Sequence, residues 1–137
     1  MARLMSVAYT ADAVIARRKT VTRRLGWRFL KAGDRLTLCR KVMGRKPGEP
    51  LERIAEVEVV DVRREMLLAI TDEDVARECV PLVDEHGNER FDEVWIADGK
   101  PWSTAQPASW AWVSWFAHEM GCYPETEVTR IEWRYVS

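Results

Sequence analysis

The run from Leu51 to about Arg64 constrains the fold more than any other segment. Ala55, Val57 and Val59 alternate with Glu56 and Glu58, the period of a half-buried strand. The phase then slips, and Val60 and Val62 become the apolar positions, which points to a bulge or bend. Arg35 to Val42 alternates in the same way, with Leu36 and Leu38 inward and Arg35 and Thr37 outward. Glu127 to Val136 reads as a closing strand with Ile131, Trp133 and Tyr135 inward and Arg130, Glu132 and Arg134 outward. Lys19 to Arg24 is rich in β-branched residues and reads as extended. Three helices fit between these strands. Thr10 caps one from Ala11 to about Arg17, with Val14 and Ile15 on its buried side. Thr71-Asp72-Glu73-Asp74 opens a second in capping-box style, reaching Glu78 or Val80 before Pro81 stops it. Ser109 caps a third through Met120, with Gly121 as its C-terminal stop. Residues 82–107 show no strong period: Asp84 to Asn88 reads as a turn containing His86, and Lys100-Pro101 and Gln106-Pro107 as breakers. Strands joined by long irregular connections suit an α+β fold, a small twisted or partly closed barrel with helices over its ends. A doubly wound parallel sheet fits poorly, because too few helices alternate with the strands.

Composition narrows the setting. The 137 residues suit one domain, and 47% hydrophobic residues can build its core. There is no apolar run of about 18 residues, so no membrane span is expected, and the first residues develop no secretory pattern. Cys39, Cys79 and Cys122 lack CxxC spacing and, with two histidines elsewhere, make no zinc pattern. They read as reduced thiols of a cytoplasmic protein, and neither metal nor cofactor is expected.

The net charge of -1 hides an asymmetry. Residues 1–50 carry 13 Lys/Arg against 3 Asp/Glu, whereas residues 51–137 carry 8 against 19. The basic half centres on Arg17-Arg18-Lys19-Thr20-Val21-Thr22-Arg23-Arg24, five cations and two hydroxyls in eight residues, and continues through Arg28 and Lys31. One basic face on an acidic body argues against indiscriminate DNA coating and for a single nucleotide or a short RNA segment. Trp27, beside the basic run, is the favoured base-stacking residue. Trp110, Trp112, Trp115 and Phe116 read mainly as core, and His86 and His118 as ordinary polar positions.

These residues carry a resemblance. A short helix, an Arg-Lys-Thr-Val-Thr-Arg-Arg element and a Gly33-Asp34 turn leading into a strand resemble the ASCH domain of the PUA-like superfamily. The closing strand Val128-Thr129-Arg130-Ile131-Glu132-Trp133 is similar to that family's last strand. Lys-Thr-Val-Thr-Arg-Arg-Leu-Gly-Trp is similar to phage-encoded members. The resemblance spans about residues 10–80 and 126–136, and 82–107 looks like an insertion relative to compact members. It implies a PUA-like pseudo-barrel that binds RNA or nucleosides. Some compact members are amidohydrolases that remove the acyl group from N4-acetylcytidine with a Lys, a Thr three residues later, and a Glu in the helix after the central strands. Carried over, these are Lys19, Thr22 and Glu78, with Arg17, Arg18, Arg23, Arg24, Trp27, Arg28 and Lys31 as the surrounding nucleic-acid or anion contacts. Other members imply a ribonuclease or a non-catalytic RNA- or protein-binding module.

The amidase chemistry sets conditions. A Thr hydroxyl needs a neighbouring base, and a Lys serves only if burial or nearby cations lower its proton affinity. On a straight strand Lys19 and Thr22 point to opposite faces, so a bulge or edge turn near Thr20–Thr22 is required. A ribonuclease lacks a pair of histidines in the 82–107 segment. A protein-binding role rests on the acidic residues Asp84, Glu85, Glu89, Asp92, Glu93 and Asp98.

Overall fold

A computed structural model describes residues 2–80 and 108–136, and between them four two-residue strand pieces. The stop at Pro81, the turn with His86, the breaker at Gln106-Pro107 and most of the acidic stretch lie outside the described residues.

The main sheet has five strands: β1 (Arg3–Ser6), β2 (Val21–Arg24), β3 (Arg35–Cys39), β4 (Arg53–Met66) and, near the end of the chain, a strand from Glu127 to Tyr135. The short pieces β5 (Leu82–Val83), β6 (Glu89–Arg90), β7 (Ile96–Ala97) and β8 (Lys100–Pro101) make two small antiparallel ladders, so the closing strand is β9. Lys100-Pro101, expected to break structure, is therefore strand, with Pro101 opposite Ile96. A two-stranded ribbon has edges on which a missing N–H is tolerated.

The order across the main sheet is β1-β3-β4-β9-β2. β1 runs parallel to β3, and the other pairs are antiparallel. β4 pairs with β3 along its first half and with β9 along its second, so one long strand is the spine of two ladders. The ladder to β9 slips between Val59 and Asp61, where the hydrophobic phase changes, and Val60 is left exposed. That bulge curls the sheet into a half-barrel. The two edge strands meet through Arg24, whose Nη2 donates to the Ser6 carbonyl at 2.8 Å.

β1 is absent from the sequence reading. Four residues with Met5 as the one buried side chain leave no alternation to detect. The first helix, α1 (Ala11–Ile15), is shorter than expected and buries Ala13 and Val14, while Ile15 is exposed. Arg17, in the left-handed region at φ 60°, turns the chain out of it. Thr10 makes no side-chain cap; it is buried instead. The second helix, α2 (Asp72–Glu78), has the expected cap, with the Thr71 hydroxyl accepting from the Asp74 N–H at 3.2 Å. The third, α3 (Ala108–Met120), ends before Gly121 at φ 63°.

There are two apolar cores. One fills the half-barrel with Met5, Val7, Val14, Leu36, Leu38, Val57, Val59, Ile131 and Trp133. The other joins α2, α3, the turn after β4 and the start of β9 through Leu67, Ile70, Val75, Trp112, Phe116 and Val128. Charge as well as apolar surface ties α2 to the sheet. Arg23 on β2 and Arg130 on β9 are register partners, an arrangement of like charges that is costly alone. Asp74 lies between them. Its carboxylate accepts from Arg23 Nη2 at 2.6 Å, Arg130 Nε at 2.7 Å, Arg130 Nη2 at 3.2 Å and Arg77 Nη1 at 3.2 Å. Arg130, expected to face outward, is buried for this reason.

Burial alone would raise the proton affinity of Asp74, but the hydrogen bonds from Arg130 and Arg23 outweigh it and hold the carboxyl well below the usual range. Asp74→Asn removes the carboxylate that Arg23 and Arg130 share, leaving Arg23 with Glu65 and Glu78 and Arg130 with Asp61 and Glu132, and is expected to cost about 3–5 kcal/mol in urea denaturation at pH 7. The contribution of Asp74 is fully present above its unfolded value, near pH 4, and falls away as pH drops through its depressed folded value. Wild type and variant therefore converge in strong acid.

Candidate functional site

The strand β2 begins only at Val21, so Lys19 lies before it, where strand parity does not apply. The segment Lys19–Thr20 packs on the C-terminus of α2. A helix end leaves its last carbonyls without partners. Thr20 N donates to the Arg77 carbonyl at 3.2 Å, and Lys19 Nζ donates to the Glu78 carbonyl at 2.7 Å. Cys79, in the left-handed region at φ 55°, turns the chain away and leaves that carbonyl free. A cation at this end also suits the helix dipole. From the other side, the Lys19 carbonyl accepts from Trp133 Nε1 at 2.9 Å and from the Tyr135 hydroxyl at 2.5 Å. Lys19 is thus fixed by α2 at its amine and by β9 at its backbone.

The Glu78 side chain lies in the same buried place. Its Oε1 accepts from Lys19 Nζ at 3.2 Å and its Oε2 from Arg23 Nη1 at 3.1 Å. Arg23 Nη2 also donates to Glu65 Oε1 at 2.7 Å. Arg23 therefore serves three carboxylates. Thr22, the residue before Arg23 on β2, accepts at Oγ1 from Arg24 Nε at 3.2 Å. Lys19 and Thr22 do not bond each other directly.

Lys19, Thr22, Arg23, Arg24 and Glu78 share one cavity of about 130 Å³. An apolar cavity of roughly 150 Å³ admits a benzene-sized ring, so the space suits one six-membered ring. It opens between the two cores. Ser6, Val7, Tyr9 and Thr10 form one wall; Val80, Trp112, Trp115, Phe116 and Met120 form the other. Trp112 stacks on Phe116 with centroids 5.1 Å apart, and Trp115 stands edge-on to Tyr9 at 5.7 Å. The indole N–H of Trp112 is buried without a partner. Burial lowers the proton affinity of Lys19; Glu78 opposes this and Arg24 adds to it, and the balance lies below the ordinary lysine value.

The remaining cations of the basic run are elsewhere. Arg17 is exposed, with its guanidinium over the Tyr135 ring at 5.4 Å, and Arg18 is exposed beside it. Trp27, Arg28 and Lys31 lie in the loop after β2, away from the cavity lining. The aromatic wall of the cavity therefore comes from α3, and Trp27 lies outside it. The sequence signal for it was the run Trp112, Trp115, Phe116, Met120 at spacings of three and four, which equally describes a core-facing stripe. Ser6, Tyr9 and Thr10 carried no signal. Among the described residues no cluster of His, Cys, Asp and Glu could hold a metal ion, and no helix is long and apolar enough to cross a membrane.

No protein-family model matches the sequence, and no curated protein matches it. Solved structures do. A DUF984 protein from Enterococcus faecalis V583 aligns at TM-score 0.58 and 12% identity, over 99% of this chain and 80% of that one. An ASCH domain from Lactobacillus crispatus JV V101 aligns at TM-score 0.51 and 13% identity, over 98% and 79%. The chain has the fold of an ASCH domain. At this identity the likeness is one of fold. Within the ASCH fold, the cavity here is where β2, α2 and α3 meet.

The lowered proton affinity of Lys19 has a measurable sign. Between its folded value and the unfolded value near 10.4, the unfolded chain binds a proton that the folded chain does not. The stability of the wild type is therefore expected to rise with pH through that window relative to Lys19→Met, as measured by urea denaturation at a series of pH values. Parallel pH profiles would contradict it.

Proposed function

We propose that this ASCH-fold domain binds the base of a modified nucleoside in the cavity and hydrolyses the N4-acyl amide of acetylcytidine. What carries the reading is the meeting of Lys19, Thr22 and Glu78 in one aromatic-walled space of single-ring size. The base lies against Trp115 and Phe116, where stacking on aromatic faces contributes about 1–3 kcal/mol per base. The exocyclic nitrogen lies near Glu78, whose carboxylate accepts its hydrogen.

The reaction follows from the charges. Neutral Lys19 takes the proton of the Thr22 hydroxyl, directly or through one water, while Oγ1 bonds to the acyl carbonyl carbon. Arg24, donating to Oγ1, makes the developing negative charge less costly. The C–N4 bond then breaks, and the proton on Lys19 passes to the departing nitrogen, giving cytidine and acetyl-Thr22. Water attacks the ester with Lys19 again as base, releasing acetate and restoring the threonine. Glu78 lies between Lys19 and Arg23 and orients the amine and the guanidinium.

The test is hydrolysis of N4-acetylcytidine followed by ultraviolet absorbance. Lys19→Ala and Thr22→Ala are each expected to lower kcat/KM by about 100-fold or more, within the range for a lost general base or nucleophile. Trp115→Ala is expected to raise KM by roughly tenfold with a smaller effect on kcat. Wild-type protein without turnover would overturn the hydrolase reading.

A further inference from the structure

The cavity wall opposite α3 holds a hydroxyl that the proposed reaction leaves unused. Thr10 is 6% exposed and lines the cavity with Lys19, Thr22 and Glu78. It stands at the N-cap of α1, where a Thr side chain ordinarily accepts from the free N–H groups of the first turn. Thr71 does this for α2. Thr10 does not, and its hydroxyl makes no hydrogen bond among the described residues. Nor is that oxygen sealed off, as Arg23 Nε and Trp112 Nε1 are, so it opens on the cavity. A hydroxyl that gives up a cap in a nearly buried place calls for a partner inside the cavity.

The scaffold fixes where this hydroxyl stands. Thr10 N donates to the Val7 carbonyl at 2.9 Å, and Val7 N donates to the Cys39 carbonyl on β3 at 2.9 Å. Val7 and Val14, on either side of Thr10 along the chain, belong to the half-barrel core. A β-branched side chain has few rotamers, so the hydroxyl is placed before any ligand arrives. The rest of the lining says what kind of atom meets it. Arg23 Nε and Trp112 Nε1, the sealed atoms without a partner, are both donors. The oxygens of Glu78 and Thr22 already accept from Lys19, Arg23 and Arg24. The surplus is one of donors, so a fitting ring brings acceptors. In an N4-acylated cytosine these are ring N3 and the O2 carbonyl oxygen, on the same side of the ring as N4. A cavity of about 130 Å³ has room for one ring, so the hydroxyl meets the base and not the sugar.

We propose that Thr10 is a specificity-determining residue, whose hydroxyl donates to the acceptor edge of a pyrimidine formed by N3 and O2. This rests on the reading of the cavity as a base site and is independent of hydrolysis there. A ring without that edge leaves the hydroxyl unpaired in a nearly buried place, and the site discriminates against it.

The test is calorimetric titration of the 137-residue chain with three nucleosides, alongside hydrolysis of N4-acetylcytidine. The nucleosides are cytidine, 3-deazacytidine, in which C–H replaces N3, and 2-thiocytidine, whose sulfur is a weak acceptor. Wild type is expected to bind at least one analogue about tenfold more weakly than cytidine, the range for one hydrogen bond. Thr10→Val keeps the shape of the side chain. It is expected to bind cytidine about tenfold more weakly and that analogue as wild type does, so the preference disappears. Thr10→Ser is expected to restore the preference. The analogue concerned identifies the acceptor that Thr10 meets. A structural role would weaken all three nucleosides together and leave the preference intact. A preference kept in Thr10→Val, or absent in wild type, therefore overturns the proposal whatever the hydrolysis assay gives. The expected preferences in a protein without turnover retain Thr10 as the reader of the base and remove the hydrolase reading. Turnover with Thr10→Val equal to wild type in every titration does the reverse.

Discussion

Everything at the site depends on one buried arrangement of charge: Glu78 and Asp74 on α2 against Arg23 and Arg130 on the sheet. Without the two carboxylates, the buried arginines paired across β2 and β9 would lose most of their buried counter-charge. Without the arginines, a helix of seven residues would have little to fix its rotation. The same bonds that dock α2 aim Glu78 at Lys19. Arg23 is therefore a structural residue with a chemical consequence, holding the Glu78 carboxylate in place at the back of the cavity. The placement of Lys19 follows, since its amine caps the helix that this network orients.

The arrangement also explains how one chain makes a lined site between two cores. The half-barrel core and the helical core do not merge; polar residues from β2 and α2 occupy the gap. Such a gap needs lining groups that are satisfied from behind, so that they present functional atoms forward without an unpaired cost. Thr22 is satisfied by Arg24, Glu78 by Arg23, and Lys19 by the end of α2. Arg23 Nε and the indole N–H of Trp112 are the exceptions among the described lining groups, buried donors without an acceptor.

Much of this was legible in the sequence, for reasons that particular residues make clear. The slip of phase at Val60 marked the bulge that curls the sheet, because burial on one face leaves a direct imprint on a long strand. Thr71 and Asp74 marked the start of α2, because a cap is a local interaction. Lys19, Thr22 and Glu78 were singled out from resemblance, and parity on a strand set the condition on Lys19 that the late start of β2 meets. What was hidden is non-local. β1 is too short to show a period. Arg23 and Arg130 look like surface cations until their register brings them together on Asp74. A stripe of tryptophans on α3 looks the same whether it faces a core or a ligand. The basic run reads as one patch along the chain, yet the fold divides it: Arg17 and Arg18 after α1, Arg23 into the ion network, Arg24 at the cavity, and Arg28 and Lys31 in the loop after β2.

The central claim is that a nucleoside base occupies the cavity between Lys19, Glu78 and the aromatic wall of α3. The most direct measurement is a crystal structure of the Thr22→Val protein with N4-acetylcytidine. The account predicts the base against Trp115 and Phe116, its N4 within hydrogen-bond distance of Glu78 and its acyl carbon facing position 22. A nucleoside bound in that crystal at another surface, with the cavity holding only water, would contradict it.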